Sequence, residues 1–266
     1  MSDHTHVEDK HPRAQSIRTR ERITNNVDNK VVALAGLIAH GRGEAFDYML
    51  GEKTTASGMK AITAAAATLL KADYPVLSVN GNVAALCPKY LVELSKTTGA
   101  KLEVNLFHRL PGREEAIEKI LRDNGAEEVL GLDGAASVHI DEVFSDRRLV
   151  DPEGIYNADV VFVPLEDGDR TQGLVRMGKK VITVDLNPMS RTAQFATITI
   201  VDNIVRALPL LVSEVNRLKK LSRDELQTIV SGFSNSETLS DAMNIMKERL
   251  GTLAEKGVYI EPTTNE

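Results

Sequence analysis

The strongest constraint on this chain is an alternation that begins at Pro75. Short runs that are apolar almost throughout recur at Pro75–Val79 (PVLSV), Asp159–Leu165 (DVVFVPL) and Lys180–Asp185 (KVITVD), with helical segments between them. A strand with one face in water alternates apolar and polar residues, whereas a strand apolar on both faces belongs to a parallel sheet covered on both sides. Further strands are expected at Lys101–Phe107, Glu128–Leu132 and Thr197–Val201, about six in all. Helices are expected at Pro12–Val27, Ser57–Ala72, Pro88–Thr98, Arg113–Asn124 and Asn203–Leu218, with short helical pieces at Glu44–Leu50, Gly173–Met177 and Ser190–Ala196. Gly134–Tyr156 breaks the rhythm and reads as a long loop or short insertion carrying Arg147, Arg148 and Asp151. Loops this long inside compact domains are often functional. Ser222–Gly257 reads as two helices whose apolar face packs on the domain or on a second subunit. The fold class is therefore α/β, doubly wound around a mainly parallel sheet.

With 266 residues there is room for one large α/β domain or two small ones. Aromatic residues are only 4% of the chain against 42% hydrophobic, so the core is aliphatic. A net charge of −6 argues against a nucleic-acid binder but not against an anionic small molecule, which responds to the local field. The single cysteine, Cys87, allows no intrachain disulfide and reads as a small buried hydrophobe in a cytoplasmic protein. No stretch approaches the ~18 apolar residues of a membrane span. The leader MSDHTHVEDKHPR has no signal-peptide core; residues 1–10 are expected to be disordered, a reading favoured over a metal site at His4, His6 and His11.

Chemistry concentrates in two places. The segment GLIAHGRGEAFDYML at Gly36–Leu50 holds His40, Arg42, Glu44 and Asp47, threaded by Gly41 and Gly43. It reads as a polar turn leading into a short helix. A second charged turn, LEDGDRT at Leu165–Thr171, follows an apolar run. Two such turns at strand ends describe one polar pocket for an anionic ligand. In open α/β sheets ligands bind beyond the carboxyl ends of the strands. That rule selects Asn80 and Asn82, then Glu166, Asp167, Asp169 and Arg170, then Asp185, Leu186, Asn187 and Arg191, then Asp202 and Asn203. Each alone is weak, since Asn-Gly is common in turns and Asp often caps a helix. The helix at Pro12–Val27 carries Arg13, Arg18, Arg20 and Arg22, either a solvated face or an arm donating arginines to a phosphate. No GxxxxGK[ST], no GxGxxG after a strand, no CxxC or HExxH and no GxSxG is present, so phosphates must be held by arginines, amides and helix N-termini.

The motifs HPRAQSIRTRERI, GLIAHGRGEAFDYMLGEKT, PVLSVNGNVAAL, EVNLFHR, DPEGIYNADVVFVPLEDGDRT, VITVDLNPMSRTA and ITIVDNIVRALP, in this order, resemble the archaeal phosphopantothenate synthetase family, also called 4-phosphopantoate–β-alanine ligase. The resemblance covers roughly residues 11–220. It implies a Rossmann-like ATP-binding catalytic domain over 11–220, a C-terminal helical extension over 221–266, and a homodimer. The implied reaction joins 4-phosphopantoate and β-alanine with ATP and Mg²⁺, through an acyl-adenylate, giving 4′-phosphopantothenate, AMP and diphosphate on the way to coenzyme A. Carried over by motif, the nucleotide contacts are Arg20, Arg42, Asp185, Leu186, Asn187, Arg191, Thr192, Asn203 and Ile204. Beside them, Arg42, His40, Asp167 and Asp169 are the catalytic candidates. Asp167 and Asp169 either hold Mg²⁺ or pair with the β-alanine ammonium, and Asn80, Asn82 and Arg170 are substrate candidates. The alternatives are a nicotinamide-dependent oxidoreductase, which the missing glycine fingerprint disfavours, and a non-catalytic nucleotide sensor using the same pocket.

Overall fold

A computed structural model describes residues 8, 10, 13–132, 134–141, 143 and 145–257; nearly all of the leader, and everything after Gly257, lies outside them. Three helices precede the first strand: α1 (Ala14–Thr24), α2 (Leu34–Leu50) and α3 (Ala56–Lys71). β1 (Pro75–Val79) leads through α4 (Gly81–Leu86) and α5 (Pro88–Thr98) to β2 (Lys101–Val104) and α6 (Arg113–Asp123). An insertion follows, pinned by a two-residue antiparallel ribbon of β3 (Val138–His139) and β4 (Leu149–Val150). The alternation then resumes with β5 (Val160–Phe162), α7 (Gly168–Arg176), β6 (Lys180–Val184), α8 (Arg191–Phe195), β7 (Ile198–Ile200) and α9 (Ile204–Leu218). α10 (Arg223–Ser231) and α11 (Asn235–Lys256) pack back on α3.

The five long strands form one sheet in the order β2-β1-β5-β6-β7, every pair parallel. The order reverses between β1 and β5, and in open parallel sheets it is beyond the carboxyl ends at such a switch that ligands bind. Alternate strand residues enter two separate cores. Leu77, Val79, Phe162, Ile182, Val184, Ile198 and Ile200 join α3, α5 and α9 in the larger one. Val76, Val161, Val163 and Val181 meet Leu174 of α7 together with Ile140, Val143, Val150 and Ile155 of the insertion. The second face is thus covered largely by the insertion. No described helix is long and apolar enough to cross a membrane.

Irregular chain can lie on a sheet only if its backbone polar groups find partners. Glu103, in β2 and fully buried, supplies them: Oε1 accepts from Asp151 N at 3.2 Å and Oε2 from Ile155 N at 2.5 Å. Asp151 Oδ2 accepts from Gly131 N, and Asn105 Nδ2 donates to Leu149 O at 2.9 Å. Glycine at 154 is required, because a Cβ there would stand 2.1 Å from Glu103 Oε2.

Three expectations need correction. Gly36–Leu50 is not a turn: residues 34–50 are one helix, no strand precedes it among the described residues, and Glu44–Leu50 is only its last part. Leu, Ala, Glu and Met are good helix formers, and at Gly36 the missing Cβ permits contact, since one would lie 2.4 Å from Asn82 Oδ1. Glu128–Leu132 is not a strand; Leu130 makes a single bridge to Glu103, and Gly131 at φ 78° turns the chain away. The sheet therefore has five strands and the ribbon two, instead of about six in all. Finally, Asn80-Gly81-Asn82 is not a free turn but the start of α4, with Asn80 Oδ1 accepting from Val83 N.

Burial pushes the Glu103 carboxyl from 4.5 up to about 7, against its two backbone N–H donors. Between those values the unfolded chain is ionised while the folded one still holds the proton, so stability falls as pH rises through the window, by roughly 3 kcal/mol in total. Glu103→Gln is expected to flatten that fall while losing one backbone partner, about 1–3 kcal/mol. Urea denaturation at pH 4.5 to 8 checks both.

Candidate active site

The switch of strand order is tied across by Asn80. Its Nδ2 donates to Pro164 O at 2.8 Å and Leu165 O at 3.3 Å, joining the end of β1 to the segment after β5. On the insertion side lies a buried polar cluster. Ser78 and Glu103 are register partners on neighbouring strands. Arg170, fully buried, donates from Nη1 to Ser78 Oγ at 3.2 Å and to Glu166 Oε2 at 2.5 Å. The other oxygen of Glu166 accepts from Arg147, which comes from the insertion and also stands 3.5 Å from Asp167 Oδ2. One carboxylate thus holds two guanidiniums. Burial lowers both arginines to about 10, still cationic at neutral pH. Arg147 Nε, Arg170 Nε and Nη2, Asn105 Oδ1 and Asp167 Oδ2 are buried without hydrogen-bond partners.

α2 lies over the same edge of the sheet. A Cβ at Gly43 would touch Leu186 Cδ1 at 3.9 Å, and Asn82 Nδ2 donates to Gly36 O at 2.9 Å. Burial raises the Asp185 carboxyl, opposed by hydrogen bonds from Ser190 Oγ and Asn187 N and by the charge of nearby Arg42. Asp47 locks the helix down. Its carboxylate takes Arg206 bidentately at 2.6 and 3.1 Å and Asn203 Nδ2 at 2.8 Å, while Arg206 also grips Asp202. Asp202 Oδ2 in turn accepts from Thr54 Oγ1. A cavity of about 50 Å³ beside this network is lined by Thr19, Glu44, Asp47, Asn203 and Arg206. His40 Nε2 lies 3.6 Å from Glu44, and burial lowers its pKa more than Glu44 raises it. The loops after β5 and β6 touch each other: a Cβ at Gly168 would stand 2.6 Å from Arg191 Cβ, and Thr192 Oγ1 donates to Glu166 O at 2.8 Å.

A polar, arginine-bearing edge at the switch of strand order suits an anionic ligand, and comparison with known proteins narrows the chemistry. A phosphopantothenate/pantothenate synthetase profile matches residues 57–249. The chain belongs to that family. It is 52% identical to a 4-phosphopantoate–β-alanine ligase of Thermococcus kodakarensis, covering 94% of this chain and 95% of the relative. Its identity to a ligase of the same name from Methanosarcina mazei is 49%, covering 96% and 100%, and to one from Methanospirillum hungatei 44%, covering 92% and 98%.

In this synthetase the residues expected at the site divide by burial. Arg20, Arg42 and Arg191 are exposed. Leu186 and Ile204 bury their side chains, leaving main chain for a ligand to meet. Asn203 is the N-cap of α9, Ser190 caps α8, and Thr192 is buried. Asn187 Oδ1 accepts from Met189 N within its own turn. Asp167 and Asp169 begin α7, but no described group of three or more His, Cys, Asp or Glu is arranged to hold a metal. Sequence reasoning missed Glu103, Asn105 and Arg206. A glutamate inside the apolar run KLEV was the available signal for Glu103; Arg206, four residues after Asp202, was the signal for the second network.

Asp47→Ala leaves Arg206 with Asp202 alone and frees Asn203. The expected loss is roughly 2–3 kcal/mol, below the 3–5 typical of a fully buried pair because Arg206 keeps one partner. Thermal unfolding beside Asp47→Asn, which retains an acceptor and loses less, checks the assignment.

Proposed function

We propose that this synthetase condenses 4-phosphopantoate with β-alanine at the expense of ATP, giving 4′-phosphopantothenate, AMP and diphosphate for coenzyme A biosynthesis. The observation that carries the reading is the near full-length identity to ligases of that name, supported by exposed and buried arginines at one sheet edge. In the first step the pantoate carboxylate attacks the α-phosphorus of ATP and diphosphate leaves. Both reactants are anionic, so neutralising charge is the main catalytic need. Arg42, Arg20 and Arg191, exposed and therefore reachable, serve the triphosphate. The main-chain N–H groups at the start of α9, around Asn203 and Ile204, and the turn Asp185-Leu186-Asn187 serve the nucleoside and its phosphates. Asn80 and Asn82, at the start of α4, are the candidates for the pantoate oxygens.

In the second step the β-alanine amine attacks the acyl carbon of the adenylate. His40 is the proposed base, because burial keeps its imidazole neutral at pH 7 and its Nε2 makes no hydrogen bond. Asp167 and Asp169 would suit a magnesium ion brought by ATP, which needs only one or two carboxylates beside phosphate oxygens and water; Asp167 Oδ2 accepts no hydrogen bond and faces Arg147 Nε at 3.5 Å. Such an ion would supply further neutralisation of the phosphates. We place the enzyme in the cytoplasm as a homodimer. Leu34 and Ile38 of α2, 70% and 75% exposed, form the apolar face that supports self-association.

The test is release of AMP and diphosphate from ATP with 4-phosphopantoate, with and without β-alanine. Release that needs the acid, with 4′-phosphopantothenate appearing only when the amine is added, is the expected result. ATP binding without release under any combination would favour a nucleotide sensor. Arg42→Ala is expected to lower kcat/KM by about 10²-fold or more, as loss of a preorganised charge at a developing anion does, with unchanged folding by circular dichroism.

A further inference from the structure

We propose that Arg113 is a positioning residue for ATP: it fastens the link between α1 and α2 to the sheet and so sets where Arg20 and Arg42 stand. The inference rests on the ligase reading, in which those two arginines serve the triphosphate.

Arg113 opens α6 and is buried. Its guanidinium reaches three main-chain carbonyls. Nε donates to Lys30 O at 3.1 Å, Nη2 to Val31 O at 3.0 Å and Nη1 to His108 O at 2.7 Å. Two of these carbonyls belong to the link between α1 and α2, and the third to the loop after β2. Burial lowers the pKa of Arg113, and among the described residues no carboxylate opposes that shift. A buried cation without a carboxylate is a costly way to fill space. What it supplies is a planar fork of donors in fixed directions, which a lysine ammonium cannot reproduce from one nitrogen.

The link is held in a defined and strained position. Lys30 stands at φ 68°, a left-handed conformation uncommon for a residue with a side chain, and its carbonyl is the one that Arg113 Nε takes. Strain of this kind persists where surrounding contacts over-determine it. Val31 and Val32 are buried in the larger core, and Val31 O lies so close to Gly81 that a Cβ there would overlap it. Leu34 opens α2 just beyond. α2 is thus fixed near both ends: by Arg113 on Val31 O and Asn82 on Gly36 O at its start, and by Asp47 on Arg206 toward its close. A regular helix held at its ends is placed along its whole length, Arg42 included. α1, which carries Arg20, precedes the link and packs chiefly on α4, with a long 3.5 Å hydrogen bond from Arg22 to Leu86 O. Arg20 and Arg42 are exposed, so the placement of their helices decides where they stand.

The experiment applies steady-state kinetics and amide hydrogen exchange to Arg113→Ala, Arg113→Lys and the control Lys119→Gln, an exposed residue of the same helix. For Arg113→Ala the KM for ATP is expected to rise about 10-fold or more, the scale of a misplacement transmitted from outside the chemistry. The KM for 4-phosphopantoate is expected to stay unchanged. Millimolar guanidinium, far below denaturing concentrations, is expected to restore part of the loss. Exchange is expected to quicken over residues 14–50 and to stay slow in the strands. Arg113→Lys is expected to show the same changes in smaller measure, and carries the test if the alanine variant does not fold. Lys119→Gln is expected to match the wild type. A lowered thermal midpoint with the KM for ATP unchanged is the mark of a merely structural residue and overturns the proposal. So do an equal loss for both substrates and exchange that quickens evenly over the chain. Absence of product from the wild type would count against the ligase reading alone. Calorimetric titration with ATP then decides the fastening: weaker binding by Arg113→Lys than by the wild type sustains it, and equal binding overturns it.

Discussion

A parallel sheet with two apolar faces must be covered on both, and in this protein the two covers are of different kinds. One face meets α3, α5 and α9, whose backbones satisfy themselves and bring only side chains to the interface. The other meets α7 and an insertion with little regular structure, whose amides need partners from the sheet itself. Glu103 answers that need from inside β2, and Asp151, Asn105 and the glycines at 131 and 154 complete the fit. A charged residue in the middle of a buried strand would be a defect elsewhere. Here it joins the insertion to the sheet, and through the insertion it sets where Arg147 stands.

The carboxyl edge of the sheet consequently carries two classes of cation. Arg147 and Arg170 are dehydrated and share Glu166; Arg20, Arg42 and Arg191 are in water. Burying an ion pair seldom raises stability over an apolar pair of the same size, because desolvation offsets the attraction. The Asp47–Arg206–Asp202 network differs in purpose: it fastens α2 to the start of α9 and so holds Arg42 near Asp185.

Several polar residues at strand ends carry two duties. Asn80, Ser190 and Asn203 each accept a main-chain N–H in the first turn of the following helix. Asn80 also spans the switch of strand order, and Asn203 also binds Asp47. Capping chemistry requires a short polar side chain there whether or not a ligand is nearby. That is why single positions of this kind are weak signals of function.

The α/β class and the parallel strands were legible from local sequence, because buried strands and helix caps demand particular residue types in particular order. The family was legible from long ordered motifs. Local pattern misjudged two segments. Gly36–Leu50 has the glycines of a turn but is helical, since what Gly36 provides is room for Asn82, forty-six residues away. Glu128–Leu132 has the apolar content of a strand but lacks a partner beyond Leu130, because Gly131 is held by Asp151. The pairing of Arg147 with Arg170, the latch at Glu103 and the clamp of Asp47 on Arg206 could come only from the tertiary structure. Each joins residues far apart in the chain, and the energy of a buried charge depends on partners and dehydration that no local pattern records.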